Sequence, residues 1–208
     1  LLKWNDVGEL MADVSIEDFI NRVNEHLPSM TRDGFTSDSW RVEGRPTNEA
    51  VGLKSGVNVD PDKMAARILD VGAYPGNVKY IESITVSEQG DDYVIFTQKL
   101  KLPVLGGLQC VLKYQDHGDV DGYRMLSWHQ LDDETAALDK SDGGARTEFN
   151  LGAWKIRSDE VAYALAAAPR KSDVGSLKYK MMTKGSDATG SGVLSNFIDT
   201  MIEWSQRD

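Results

Sequence analysis

The side chains able to do acid–base work in this chain are few and scattered. Three histidines are present, His26, His117 and His129, and no two stand at the helical spacing that holds a metal ion. His129 follows Trp128 in a stretch that reads as a strand. With Tyr114 it is the candidate for acid–base work in a pocket, and Gln98, Tyr114 and His129 have the groups to orient a polar head group. His117 stands beside a turn, where solvation accounts for it. Asp116, Asp119 and Asp121-Gly122 faintly resemble a calcium loop. Such a loop needs a bidentate Glu six residues after its glycine, and Trp128 occupies that position, so a hairpin turn is the better reading. Asp132-Asp133-Glu134 reads as an exposed acidic loop. The sequence has no nucleophile elbow, phosphate loop or dinucleotide fingerprint. Beyond Tyr114 and His129, kept for an enzymatic alternative, the residues nominate no catalytic group, no metal ligand set and no cofactor.

Charge and cysteine use narrow the partners. The 33 acidic residues against 23 basic ones give a net charge of −10 and no basic stripe, which argues against nucleic acid. An anionic membrane repels such a chain as a whole, although a local basic or apolar patch could still touch lipid, so transient membrane contact stays open. Cys110 is the only cysteine, which precludes an internal disulfide and reads as a buried thiol. No apolar run approaches the roughly 20 residues of a membrane span. A soluble, cytoplasmic protein is the expectation, and the start at Leu1-Leu2-Lys3-Trp4 leaves room for a removed leader. The oligomeric state is not legible.

The elements that must position these groups are better signalled. Ser15 with Asp18 makes a capping-box pattern, and Ile16, Phe19, Ile20, Val23 and Leu27 then share one helical face up to Pro28. Trp40 to Arg45 and Ala50 to Asn58 read as a hairpin. Asp60-Pro61-Asp62 opens a second helix with Met64, Ile68 and Leu69 on its apolar side. Six strands follow at 80–87, 93–102, 108–115, 123–131, 146–157 and 160–168, broken by glycine turns short enough for an antiparallel meander. A flexible small-residue stretch, Gly185 to Gly192, precedes a terminal amphipathic helix carrying Val193, Leu194, Phe197, Ile198, Met201 and Ile202. One helix cannot cover a flat sheet of this width but fits the concavity of a bent one. The fold class is thus α+β, with space expected between helix and sheet.

The strand residues nominate the lining of that space. Phe96, Leu112, Leu126, Trp128, Phe149, Leu151, Tyr163 and Leu165 supply apolar bulk, closed over by Phe197 and Met201. Ala153, Gly152 and the alanines Ala162, Ala164, Ala166, Ala167 and Ala168 are small; they either leave volume in the hollow or admit a closely packed helix. Which parity points inward is open, since a one-residue slip inverts it. The apolar turn Leu102 to Leu108 and the Gly185 to Gly192 stretch are candidates for the rim and a hinge.

From Val59-Asp60-Pro61-Asp62-Lys63-Met64 through Ile68-Leu69-Asp70 to Tyr74-Pro75, Val78 and Ile81, the chain resembles the START-related (SRPBCC, helix-grip) superfamily. It departs at Gly76-Asn77, where many members carry a Trp just past the Tyr-Pro. The resemblance covers about 39–208 and implies a ligand-binding domain there, with 1–38 as an N-terminal helical extension. It further implies an apolar ligand, a lipid, fatty acid or sterol, between sheet and terminal helix. A polyketide cyclase or aromatase working in the same cavity, or an interaction module with a collapsed one, are the alternatives.

Overall fold

The computed structural model describes residues 3–4, 10–11, 15–102, 106–184 and 186–207. A two-residue pairing of β1 (Lys3–Trp4) with β2 (Leu10–Met11) precedes α1 (Ile16–His26). The Ser15 hydroxyl accepts from the Asp18 N–H at 3.4 Å, as the capping pattern predicts, and Leu27-Pro28-Ser29 continues as one 3₁₀ turn. Next come β3 (Phe35–Trp40) and β4 (Glu49–Ser55), then α2 (Pro61–Leu69). The expected hairpin exists, but its first strand lies five residues earlier than Trp40 to Arg45. Asp60 caps α2 by accepting from Asp62 N at 3.0 Å and Lys63 N at 3.1 Å.

The meander is β5 (Ile81–Gln89), β6 (Tyr93–Leu102), β7 (Gly106–Val120) and β8 (Tyr123–Gln130), followed by α3 (Asp132–Ala136) and α4 (Lys140–Gly143). The long strands β9 (Ala145–Arg157) and β10 (Glu160–Pro169) then lead through α5 (Lys171–Val174) and α6 (Ser176–Lys184) to α7 (Ser186–Ser205). Two expectations change here. Asp132-Asp133-Glu134 is the first turn of α3, where three acids face the positive end of the helix dipole. Ser186 to Gly192 is already helical, so α7 begins earlier than the linker reading allowed; Gly185 lies outside the described residues, as do Pro103 to Leu105 of the apolar turn. No helix among the described residues is long and apolar enough to cross a membrane.

Eight strands form one curved sheet in the order β3-β4-β10-β9-β8-β7-β6-β5, antiparallel throughout except for a short parallel contact of β7 with β9 at Leu108 and Gln109. The sheet is covered on both faces. α7 lies across one: Leu194, Ile198, Met201 and Ile202 pack with Phe96, Leu112, Leu126, Trp128, Trp154 and Tyr163. Gly52 lets α7 come close, for a Cβ there would meet the Leu194 Cβ at 3.0 Å. α1 lies on the other face, where Phe19, Val23 and Leu27 pack against Val51, Leu53, Phe149, Leu151, Ala153 and the alanines of β10. The small residues of β10 thus seat α1 on the outer face; they do not widen the hollow.

Candidate functional site

The register decides which side chains meet beneath α7. Tyr114 stands opposite both Val94 and Trp128, Trp128 opposite Gly152, and Trp154 opposite both Leu126 and Tyr163. Residues opposite one another share a face, so Phe96, Gln98, Leu112, Tyr114, Leu126, Trp128, Tyr163 and Leu165 all point toward α7, with Phe197 and Met201 supplied by that helix. Phe149, Leu151 and Ala153, also expected in the hollow, belong to the α1 side. His129 goes with them, because it stands opposite Lys113 and Leu151. Burial and the nearby Lys113 hold its imidazole below the ordinary histidine range. Tyr114 and His129 are therefore on opposite faces and cannot work on one substrate. His117 is exposed, as expected beside a turn, with one ring nitrogen 2.7 Å from the Ser127 hydroxyl on that same outer face.

The inward side chains form a continuous aromatic row. Phe96 meets Tyr114 edge-on at 5.1 Å, Tyr114 stacks on Trp128 at 5.2 Å, Trp128 on Tyr163 at 5.5 Å, and Tyr163 on Phe197 at 5.4 Å. Phe96 and Leu126 have no accessible surface, so the floor of the hollow is solid. Surface reappears at Leu165 and Phe197, both half-buried. Beside Phe197 a cavity of about 290 Å³ opens between α7 and the start of β5, with Val78, Lys79 and Tyr80 on one wall and Val193, Asn196 and Thr200 on the other. Tyr80 is held at φ +67°, in the left-handed region, and is exposed at the rim.

The polar groups on this face are uncharged. Burial pushes the hydroxyls of Tyr74, Tyr114 and Tyr163 well above the usual tyrosine range, and each stays protonated. The Tyr74 hydroxyl donates to the Ile68 carbonyl at 2.6 Å, and its ring meets Trp204 edge-on, which anchors the Tyr-Pro turn to the end of α7. Asn150 accepts from Trp128 Nε1 at 3.0 Å and donates to Cys110 Sγ at 3.7 Å. By contrast, the residues Tyr163 and Gln98 are 5% and 7% exposed, and their side chains make no hydrogen bond among the described residues. The buried charges, Arg45, Glu49, Lys155 and Glu160, all lie off this face. Asn150 escaped the sequence reading, although it alternates with Gly152 and Trp154 along β9, and Tyr74 entered it only as part of the Tyr-Pro turn.

Cys110 tests how closed the floor is. Burial drives its thiol up to about 12 against the opposing hydrogen bonds from Thr147 and Asn150. Only the thiolate reacts, so at pH 8 alkylation in the folded protein is expected to run at least about a thousandfold slower than in guanidinium. Rapid labelling of the native chain by iodoacetamide, read by mass spectrometry, would show that this floor opens.

With this geometry in place, the comparison with known proteins is informative about architecture. No family model matches the chain, and no curated protein sequence matches it. Solved structures do. A STAR-related lipid transfer protein from Xanthomonas axonopodis superposes with a TM-score of 0.67 at 15% identity, over 86% of this chain and 97% of that one. Human StAR-related lipid transfer protein 5 gives 0.62 at 10% identity, over 90% and 93%. An aromatase/cyclase from a Streptomyces species, Zhui, gives 0.54 at 11% identity, over 83% and 94%. The chain has the helix-grip fold of the START-related proteins, as its acid-Pro helix and Tyr-Pro turn led us to expect.

Proposed function

We propose that this protein binds a hydrophobic ligand, a fatty acid, sterol or other lipid, between the inner face of the sheet and α7. The observation that carries the reading is the cavity of about 290 Å³ that opens beside Phe197, at the end of an uncharged aromatic row. The Tyr163 hydroxyl and the Gln98 amide make no hydrogen bond among the described residues and are free to pair with a polar group, and the aromatic row offers surface to an apolar body. A ligand with a hydroxyl or carbonyl and an apolar body fits both. Phe197 lines the outer cavity and also stacks on Tyr163, so rotation of its ring joins the cavity to the aromatic row. About ten buried CH₂ groups contribute about 8 kcal/mol before ordering costs, which supports micromolar binding without a charged clamp. Tests are native mass spectrometry of the purified chain and titration with fluorescent fatty-acid and sterol probes. Tyr163→Phe and Gln98→Leu are each expected to weaken the preferred probe about 2- to 10-fold while leaving the fold intact by circular dichroism. Failure of every probe to bind, with no lipid carried through purification, would remove the proposal.

A further inference from the structure

Outside the hollow, charge and apolar surface are distributed in a way the ligand reading does not explain. The chain carries −10 overall, yet Arg170 to Lys184 holds five basic residues against one acid, with Arg170 paired to Glu148 at 3.7 Å and the lysines left to supply the charge. That acid, Asp173, is already engaged by Arg146 at 2.7 Å and Lys140 at 3.5 Å. Within this segment α6 turns two large apolar side chains to water. Leu177 is 77% exposed and Met181 55%, and they stand one turn apart with exposed Lys180 beside them. A helix of an ordinary globular surface buries such residues and exposes the polar ones.

The surroundings extend the patch. Lys178 reaches Gly106, the first residue of β7, its Nζ 3.4 Å from where a Cβ there would sit. At the same end of the sheet Lys101 N donates to the Tyr80 carbonyl at 2.8 Å, which places exposed Lys101, Lys79 and Tyr80 beside the cavity mouth. Lys79 meets only the Asn196 side-chain oxygen, at 3.5 Å, and no carboxylate among the described residues.

From this segregation of charge we infer that α6 and the adjoining rim dock onto an anionic lipid surface. Leu177 and Met181 enter the boundary between head groups and acyl chains, and Lys178 and Lys180 lie at the level of the phosphates. The acidic remainder of the molecule is repelled and faces away, which fixes the orientation. A second copy of this chain is the weaker fit, since a patch this basic would face its own charge across a symmetric interface.

The test is co-sedimentation of the whole chain with phosphatidylcholine vesicles, with and without 30% phosphatidylserine. Binding is expected only to the serine-containing vesicles, and to weaken as salt rises. At about 1 kcal/mol per lysine near an anionic surface, Lys178→Gln with Lys180→Gln lowers the partition constant about thirtyfold. Leu177→Ser with Met181→Ser lowers it tenfold or more, a loss that salt does not imitate. Both double variants should take up a monomeric fatty-acid probe as the parent does, so a failure of the hollow and a failure of this surface are read separately. Equal binding to neutral vesicles, no binding to either kind, or variants that sediment like the parent would overturn the inference. So would parent dimers, seen by sedimentation equilibrium, that vanish with Leu177→Ser and Met181→Ser.

Discussion

Glu49→Gln is expected to lose about 3–5 kcal/mol of folding stability, a large part of what a domain has. The Glu49 carboxylate is fully buried beside α1 and holds three elements at once. Arg22 of α1 donates to both of its oxygens at 2.8 Å, Trp40 Nε1 of β3 donates at 2.8 Å, and Arg45 from the β3–β4 connection donates as well. A glutamine keeps the shape but supplies one acceptor where there were two, and leaves the buried Arg45 guanidinium without its counter-charge. The unpaired cation is what makes the loss large, not the net worth of the cluster. At about 2–4 °C per kcal/mol for a chain of this size, the thermal midpoint should fall by about 10 °C, with fatty-acid binding below the transition unchanged. Arg22 is partly exposed, so Arg22→Gln should cost much less. A Glu49→Gln protein that melts within 2 °C of the parent would mean that the cluster does not hold α1 to the sheet.

That cluster also explains what could be read in the sequence and what could not. α2 was legible because its signals are local: Asp60 caps it, Pro61 starts it, and the Tyr-Pro turn follows. β6 was legible because the Gln89-Gly90-Asp91 turn and the Gly106-Gly107 pair bracket it. Strand parity was not, and the reason is physical. With α7 on one face and α1 on the other, both faces of the central strands are buried, so apolar residues occupy odd and even positions alike and alternation carries no sign. Hence Trp128 and Leu126 fell on the expected face, while His129, Phe149, Leu151 and Ala153 did not. β3 was displaced because Ser37, Asp38 and Ser39 are polar residues of an edge strand and break the apolar pattern, Asp38 having weak strand preference. The short helices α3 to α5 contain too few turns to show a period. Gly185 to Gly192 resembled a linker by composition, yet Ser186 onward continues α7, whose stability comes from the packing of Leu194, Ile198 and Met201 further along.

Gly152→Ala should be the most damaging single methyl group in the hollow. A Cβ at Gly152 would lie 2.1 Å from Trp128 Cζ2, 2.2 Å from its Cη2 and 2.3 Å from the Ala164 carbonyl oxygen. None of these can yield easily. The indole is sandwiched between Tyr114 and Tyr163 and pinned through Nε1 to Asn150, and the carbonyl belongs to the β9–β10 ladder. Overpacking of this kind costs about 3 kcal/mol or more, and whatever relaxation occurs must shift Trp128 along the aromatic row toward Phe197. Two effects should therefore appear together: a drop in the denaturation midpoint, and a change in tryptophan emission accompanied by altered affinity for the fatty-acid probe. Adding Trp128→Leu removes the ring contacts but not the contact with the carbonyl oxygen, so the double variant should recover only part of the stability. A Gly152→Ala protein with the parent's stability and emission would mean that the hollow has more give around Trp128 than its burial implies, and that the floor of the site is not solid.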